Sequence, residues 1–127
     1  MMIRSHRDLI VWKRAMEFAA EVHGLKRRFP ARDGAELWRQ LSRATMSVAA
    51  NIAEGAGRMH RADCVRFLAI ARGSLLEADT HLAMAVALGY LSTEEIRRAE
   101  QLSYEVLRML SKLASVLSKP RDSRVLQ

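Results

Sequence analysis

Residues 47–58 read SVAANIAEGAGR, and the fold turns on how that stretch is understood. Val48, Ala49, Ala50, Ile52 and Ala53 resemble the inner side of a helix, yet Ser47, Asn51 and Glu54 interrupt them and Gly55 and Gly57 follow. Upstream, Leu37, Leu41, Ala44, Val48 and Ile52 recur at helical spacing, so the stretch reads as the end of a helix over about 34–54. Asp33 with Glu36 three residues on is a candidate capping box, and Gly55 a candidate left-handed C′ residue.

Three further helices follow from the same periodicity. Trp12, Ala15, Met16, Ala19 and Val22 mark one over 7–26, ended by Gly24 and a loop containing Pro30. Val65, Leu68, Leu75, Leu82 and Ala85 mark one over 61–88. Ile96, Ala99, Val106, Leu110, Leu113 and Leu117 mark one over 93–118, with Ser92 and Glu95 as its capping box. Lys119-Pro120 closes it, leaving a charged tail, 119–127, expected to be mobile. Four helices with short connections, few β-branched runs and two prolines predict an all-α, up-down-up-down bundle in one domain over 1–127. Leu9, Ile10, Val11 and Phe18 on the first helix, and Leu102, Leu107, Met109 and Val116 on the fourth, exceed one inward stripe and predict a homo-oligomer.

The charge is uneven as well as large. The net value is +7, and the balance is +5 over residues 1–43, −2 over 44–106 and +4 over 107–127. Polyanionic partners suit such a chain. In an up-down bundle the first helix start, the turn between helices two and three, and the fourth helix end share a pole. That pole collects Arg4, Arg7, Arg58, Arg61, Arg66, Lys112, Lys119, Arg121 and Arg124 against Asp8, Asp63 and Asp122. Lys26, Arg27, Arg28 and Arg32 lie in one loop at the other. The longest apolar run, about 82–91, is too short to span a bilayer, and the first residues do not read as a signal peptide. With the single Cys64, this predicts a cytoplasmic protein with no membrane partner.

The chemistry expected of a catalytic bundle is missing from the sequence. A carboxylate-bridged metal pair needs Glu-x-x-His, which does not occur. His60 with Cys64, and Glu77 with His81, are two-ligand pairs, short of a zinc site. Ser47 and Ser74 have no neighbouring histidine base, and GAGR lacks the context of a phosphate loop. No enzyme and no cofactor is expected. What remains is a polar seam of Arg43, Ser47, Asn51 and Glu54 on helix two against Ser74, Glu77 and His81 on helix three. Buried polar groups require partners, so Arg43 is expected to pair with Glu77, Asn51 with backbone or hydroxyl groups, and Glu54 with an arginine such as Arg58 or Arg61.

DLIVWKRAMEFA, the FP at 29–30, QLSRATMSVAANIAEGAGR, FLAIARGSLLEADTHL and ALGYL together resemble the four-helix-bundle family that includes proteins encoded in 23S rRNA intervening sequences. The resemblance implies an antiparallel bundle assembled as a homopentamer. It also implies a distant relation to accessory proteins of diversity-generating retroelements, basic barrels associated with nucleic acid and a reverse transcriptase. Asn51, Glu54, Gly55, Arg72, Gly73, Ser74 and Glu77 carry over as an architectural signature, and no catalytic residue does. The family often has proline where this chain has Ala49, so a straighter second helix is expected. The leading expectation is a non-enzymatic, oligomeric nucleic-acid-binding protein, RNA favoured, with low sequence specificity. Trp12 and Trp38 read as core residues rather than a base-stacking platform. The alternative is a scaffold or accessory factor for a nucleic-acid enzyme such as a reverse transcriptase.

Overall fold

The computed structural model describes residues 5–119, so Arg4, Arg121, Arg124 and almost all of the expected tail lie outside the described residues. Four helices make up the described chain, with no strand: α1 Ile10–His23, α2 Ala35–Ala56, α3 Arg61–Ala87 and α4 Arg97–Ser118. Each packs on its chain neighbour and α1 also packs on α4, which closes the ring of a helical bundle. Neighbours run antiparallel, since Gly55 of α2 lies beside Cys64 of α3 whereas Ser47 lies beside Ser74.

One core runs through the bundle. Val11, Ala15, Phe18 and Val22 of α1 meet Leu41, Ala44, Val48 and Ile52 of α2 there, with Leu68, Leu75 and Leu82 of α3 and Ala99, Leu102, Val106 and Leu110 of α4. Each fully buried large aliphatic or aromatic chain contributes about 1.5–3 kcal/mol relative to exposure. The α1 stripe is therefore turned from the expected one: Phe18 is wholly buried and Met16 is 45% exposed. Val11, Phe18 and Leu102 are core residues, not spare surface, while Ile10 and Val116 do face outward. The larger outward apolar surface is on α3, where Ile70, Leu76 and Met84 are exposed, joined by Leu88 at its C-terminal cap and Met46 of α2. A helix apolar on both sides needs more cover than one bundle core supplies.

Helix ends explain the remaining departures. The first helix begins late because His6–Asp8 form a separate 3-10 turn and Leu9 is extended. It stops at His23, and Lys26–Arg28 form a second 3-10 turn before Phe29, held extended as residues before proline are. The Asp33–Glu36 capping box does not form. Gly34 N–H already donates to Pro30 O at 2.9 Å, so the chain is wound before Asp33 could take the extended backbone of an N-cap. Glu36 instead accepts from Arg39 and Gln40. Ser92 and Glu95 do form theirs: Ser92 N–H donates to Glu95 Oε1 at 2.9 Å and Glu95 N–H to Ser92 Oγ at 3.1 Å.

Gly55 is not a left-handed terminator. The second helix continues unbroken past Ala49 and Gly55 to Ala56, ending at Gly57 in right-handed conformation. Gly55 is there for closeness: an added Cβ would stand 3.1 Å from Phe67 Cβ and 3.2 Å from Cys64 O. The left-handed glycine is Gly89 after α3, with φ of +79°. Tyr90 N–H donates to Ala85 O and Gly89 N–H to Val86 O, the two bonds of a Schellman motif.

Candidate nucleic-acid interface

The polar seam is narrower than its sequence pattern. Ser47 Oγ and Ser74 Oγ share a hydrogen bond of 2.8 Å across α2 and α3, and Asn51 Nδ2 donates to Ser47 O at 2.8 Å and Ser47 Oγ at 2.9 Å. Two hydroxyls and one amide thus satisfy each other between the helices. Arg43 and Glu77 lie outside this group. Both are exposed; Arg43 makes no ion pair among the described residues, and Glu77 is nearest His81, at 3.7 Å. The expected Arg43–Glu77 pair does not form: both side chains are exposed, where water screens such a pair and it gains little. Glu54, exposed in the last turn of α2, pairs with Arg58 at 2.5 Å, one of the expected partners. A positive group there offsets a carboxylate placed against the helix macrodipole.

A second seam joins α3 to α4. Ser103, 2% exposed, donates to both carboxylate oxygens of Asp79, at 2.7 and 2.8 Å. Burial pushes the Asp79 carboxyl above the usual range; the Ser103 hydrogen bond opposes that shift and the nearby Glu100 charge adds to it. The sequence held a signal for this pair: Ser103 stands on the stripe Ala99, Ser103, Val106, Leu110, where a hydroxyl must find an acceptor. Thr45, also buried, instead donates back to Leu41 O within its own helix, at 2.8 Å.

The pole between the α2–α3 turn and the α4 end is assembled as the topology requires, with one change of role. Arg61 donates from Nε to Leu117 O at 3.1 Å and from a terminal nitrogen to Val116 O at 3.0 Å. It thereby caps the orphan carbonyls of α4 and balances its negative end. Arg58 and Arg66 both stack on Phe67, their guanidinium carbons 4.6 and 4.5 Å from the ring centroid. Arg7, Lys112 and Lys119 are exposed. A cleft of about 420 Å³, lined by Arg58 and Arg61, opens between the turn, with Met59, 95% exposed, at its rim, and Leu113, Val116 and Leu117 of α4. Cys64 lines it, its thiol pushed up from the ordinary range by burial.

At the opposite pole the two connecting loops are tied together. Arg28 pairs with Glu95 at 2.6 Å, and Phe29 packs edge-on to Trp38 at 5.4 Å and against Tyr90 at 6.0 Å. Burial of Phe29 is what the FP dipeptide provides. Trp38 is only half-buried and lines a larger cleft of about 670 Å³ with His23, Lys26, Arg27 and Ala35. The sequence reading missed this surface, because residue periodicity shows which side of a helix turns inward but not how fully a loop covers it.

Geometry of this kind, a closed helical ring pinned by one serine pair and one serine–aspartate pair and cationic at both ends, defines an all-α bundle protein whose features lie at the poles rather than in a central pocket. The chain belongs to the 23S rRNA-intervening sequence protein family, whose sequence profile matches residues 7–112. A crystal structure from Bacteroides thetaiotaomicron, of a protein of unknown function from the S23 ribosomal protein family, has the same fold. Its TM-score is 0.74 at 23% identity, over 87% of this chain and 100% of that one. No curated protein matches the chain. Among the described residues, no helix is long and apolar enough to cross a membrane.

Proposed function

We propose that this protein is a non-enzymatic, homo-oligomeric nucleic-acid binder that favours RNA and reads it with low sequence specificity. The observation that carries the reading is charge: each chain has net +7, and Arg7, Arg66, Lys112 and Lys119 are exposed around one pole without ion pairs among the described residues. Such groups contact phosphates and position a strand without reading its bases. Self-assembly is supported by the outward apolar residues of α3, and the family resemblance favours five copies, which would multiply the charge. The polar seam serves register: hydroxyl and amide partners favour one alignment of α2 on α3.

The same outward face of α3 favours a second reading, an accessory scaffold that docks on a nucleic-acid enzyme such as a reverse transcriptase. Titration of labelled structured RNA, single-stranded RNA and duplex DNA at two salt concentrations separates the two. The binder reading requires affinity that falls steeply with salt, and a shallower slope when Arg66 and Lys119 are changed to glutamine. Absence of binding at low salt rejects it and leaves the scaffold.

A further inference from the structure

The cleft at the loop pole joins a half-buried tryptophan to two cations. Trp38 lies in it half-buried, fixed by the edge of Phe29 at 5.4 Å and by His23 at 5.8 Å. Lys26 and Arg27 stand in the same lining, exposed, with no acidic residue in that lining and no ion pair among the described residues. Their neighbour Arg28 is held away by Glu95. An aromatic surface that is already ordered, beside two free cations, matches a planar base carrying a phosphate. The volume of about 670 Å³ lies in the range of sites that enclose a small ligand. Base stacking on aromatic side chains is tolerant of sequence and works only on bases released from a duplex.

We propose that this cleft receives one unpaired nucleotide of an RNA strand, the base against Trp38 and the phosphate between Lys26 and Arg27. The inference rests on the nucleic-acid reading and adds a second contact, at the end remote from the Arg66 pole, that selects single-stranded over duplex segments. Free mononucleotides share the chemistry, and the test separates them from a strand.

In a Trp12→Phe background, Trp38 is the sole tryptophan and reports directly. A single-stranded oligonucleotide should quench its emission saturably, whereas the same sequence as a duplex should not. Lys26→Gln with Arg27→Gln alters only exposed groups, and should remove the quench while circular dichroism stays unchanged. Trp38→Leu should weaken single-strand binding about 5- to 100-fold, read by anisotropy of labelled RNA. RNA that binds by anisotropy with Trp38 emission unmoved overturns the cleft and leaves the function standing. RNA that does not bind at low salt rejects the function instead. The cleft then stands or falls on adenosine and uridine monophosphates: a saturable response that ribose 5-phosphate does not give supports it, and silence overturns it.

Discussion

Replacing Gly55 by alanine tests whether the α2–α3 approach, rather than helix termination, explains that glycine. In an ordinary helix interior the change stabilises, by about 1 kcal/mol of backbone propensity. Gly73 of α3 offers the control, because it is exposed and an added Cβ meets nothing within 4 Å. At Gly55 the new methyl would stand 3.1 Å from Phe67 Cβ and 3.2 Å from Cys64 O, and both atoms are fixed to the backbone of α3. No rotamer relieves the contact, so the two helices must part by a few tenths of an ångström. Overpacking of this sort costs about 1–3 kcal/mol. Set against the propensity gain, Gly55→Ala should lose about 1 kcal/mol while Gly73→Ala gains about 0.8 kcal/mol. The gap of about 2 kcal/mol corresponds to roughly 6–10 °C in Tm for a domain of this size. Urea unfolding at one protein concentration, followed by circular dichroism, measures it. If Gly55→Ala matches or exceeds Gly73→Ala in stability, the close-approach reasoning is wrong.

Arg61→Met should lower stability by about 1 kcal/mol, discounted for the partial exposure of the guanidinium, and should speed hydrogen exchange in the last turn of α4. Asp79 and Glu95 should respond to pH with opposite signs. The Asp79 carboxyl is raised in the folded state, so it binds its proton more tightly there, and its destabilising effect is relieved as pH falls through the folded pKa. Asp79→Asn should therefore be more stable than wild type at neutral pH, and titration in urea should show that advantage vanish in acid. The Glu95 carboxyl is lowered, first by the Ser92 backbone hydrogen bond and also by Arg28, so its contribution is present above the unfolded pKa and lost as pH falls through the folded one. Exchange protection at the start of α4 should weaken in acid for wild type but not for Glu95→Gln. Ser103→Ala, which strands the Asp79 charge, should cost about 1–3 kcal/mol at neutral pH, measured by denaturant unfolding.

Much of the fold was legible because helical periodicity is local. Leu41, Ala44, Val48 and Ile52, or Ala99, Val106 and Leu110, announce an inward stripe without reference to any other helix. The Ser92–Glu95 box was legible for the same reason, since both partners lie within one turn. The α1 stripe was harder because apolar residues surround it. Trp12 and Met16 share a helical line with Ala19, and only the angle set by neighbouring helices brought Phe18 inward. For the pole at the α2–α3 turn, residue order sufficed to bring Arg58 to the end of α4, but not to show Arg61 bonded to its carbonyls.

The chain alone, then, dictated four helices, their order, the inward stripes of α2, α3 and α4 and an excess of positive charge, all consequences of spacing along the backbone or of composition. Distances between helices decided everything else. SVAANIAEGAGR contains a serine, an asparagine and a glycine whose meaning depends on what lies opposite. Ser74 gives Ser47 its partner, and Phe67 with Cys64 gives Gly55 its reason. Arg43 and Glu77 show the converse, two charges that spacing along each helix matches, yet both face water unpaired with each other. Pairing across a helix interface is settled within a few tenths of an ångström, and residue spacing along one helix carries no information at that scale.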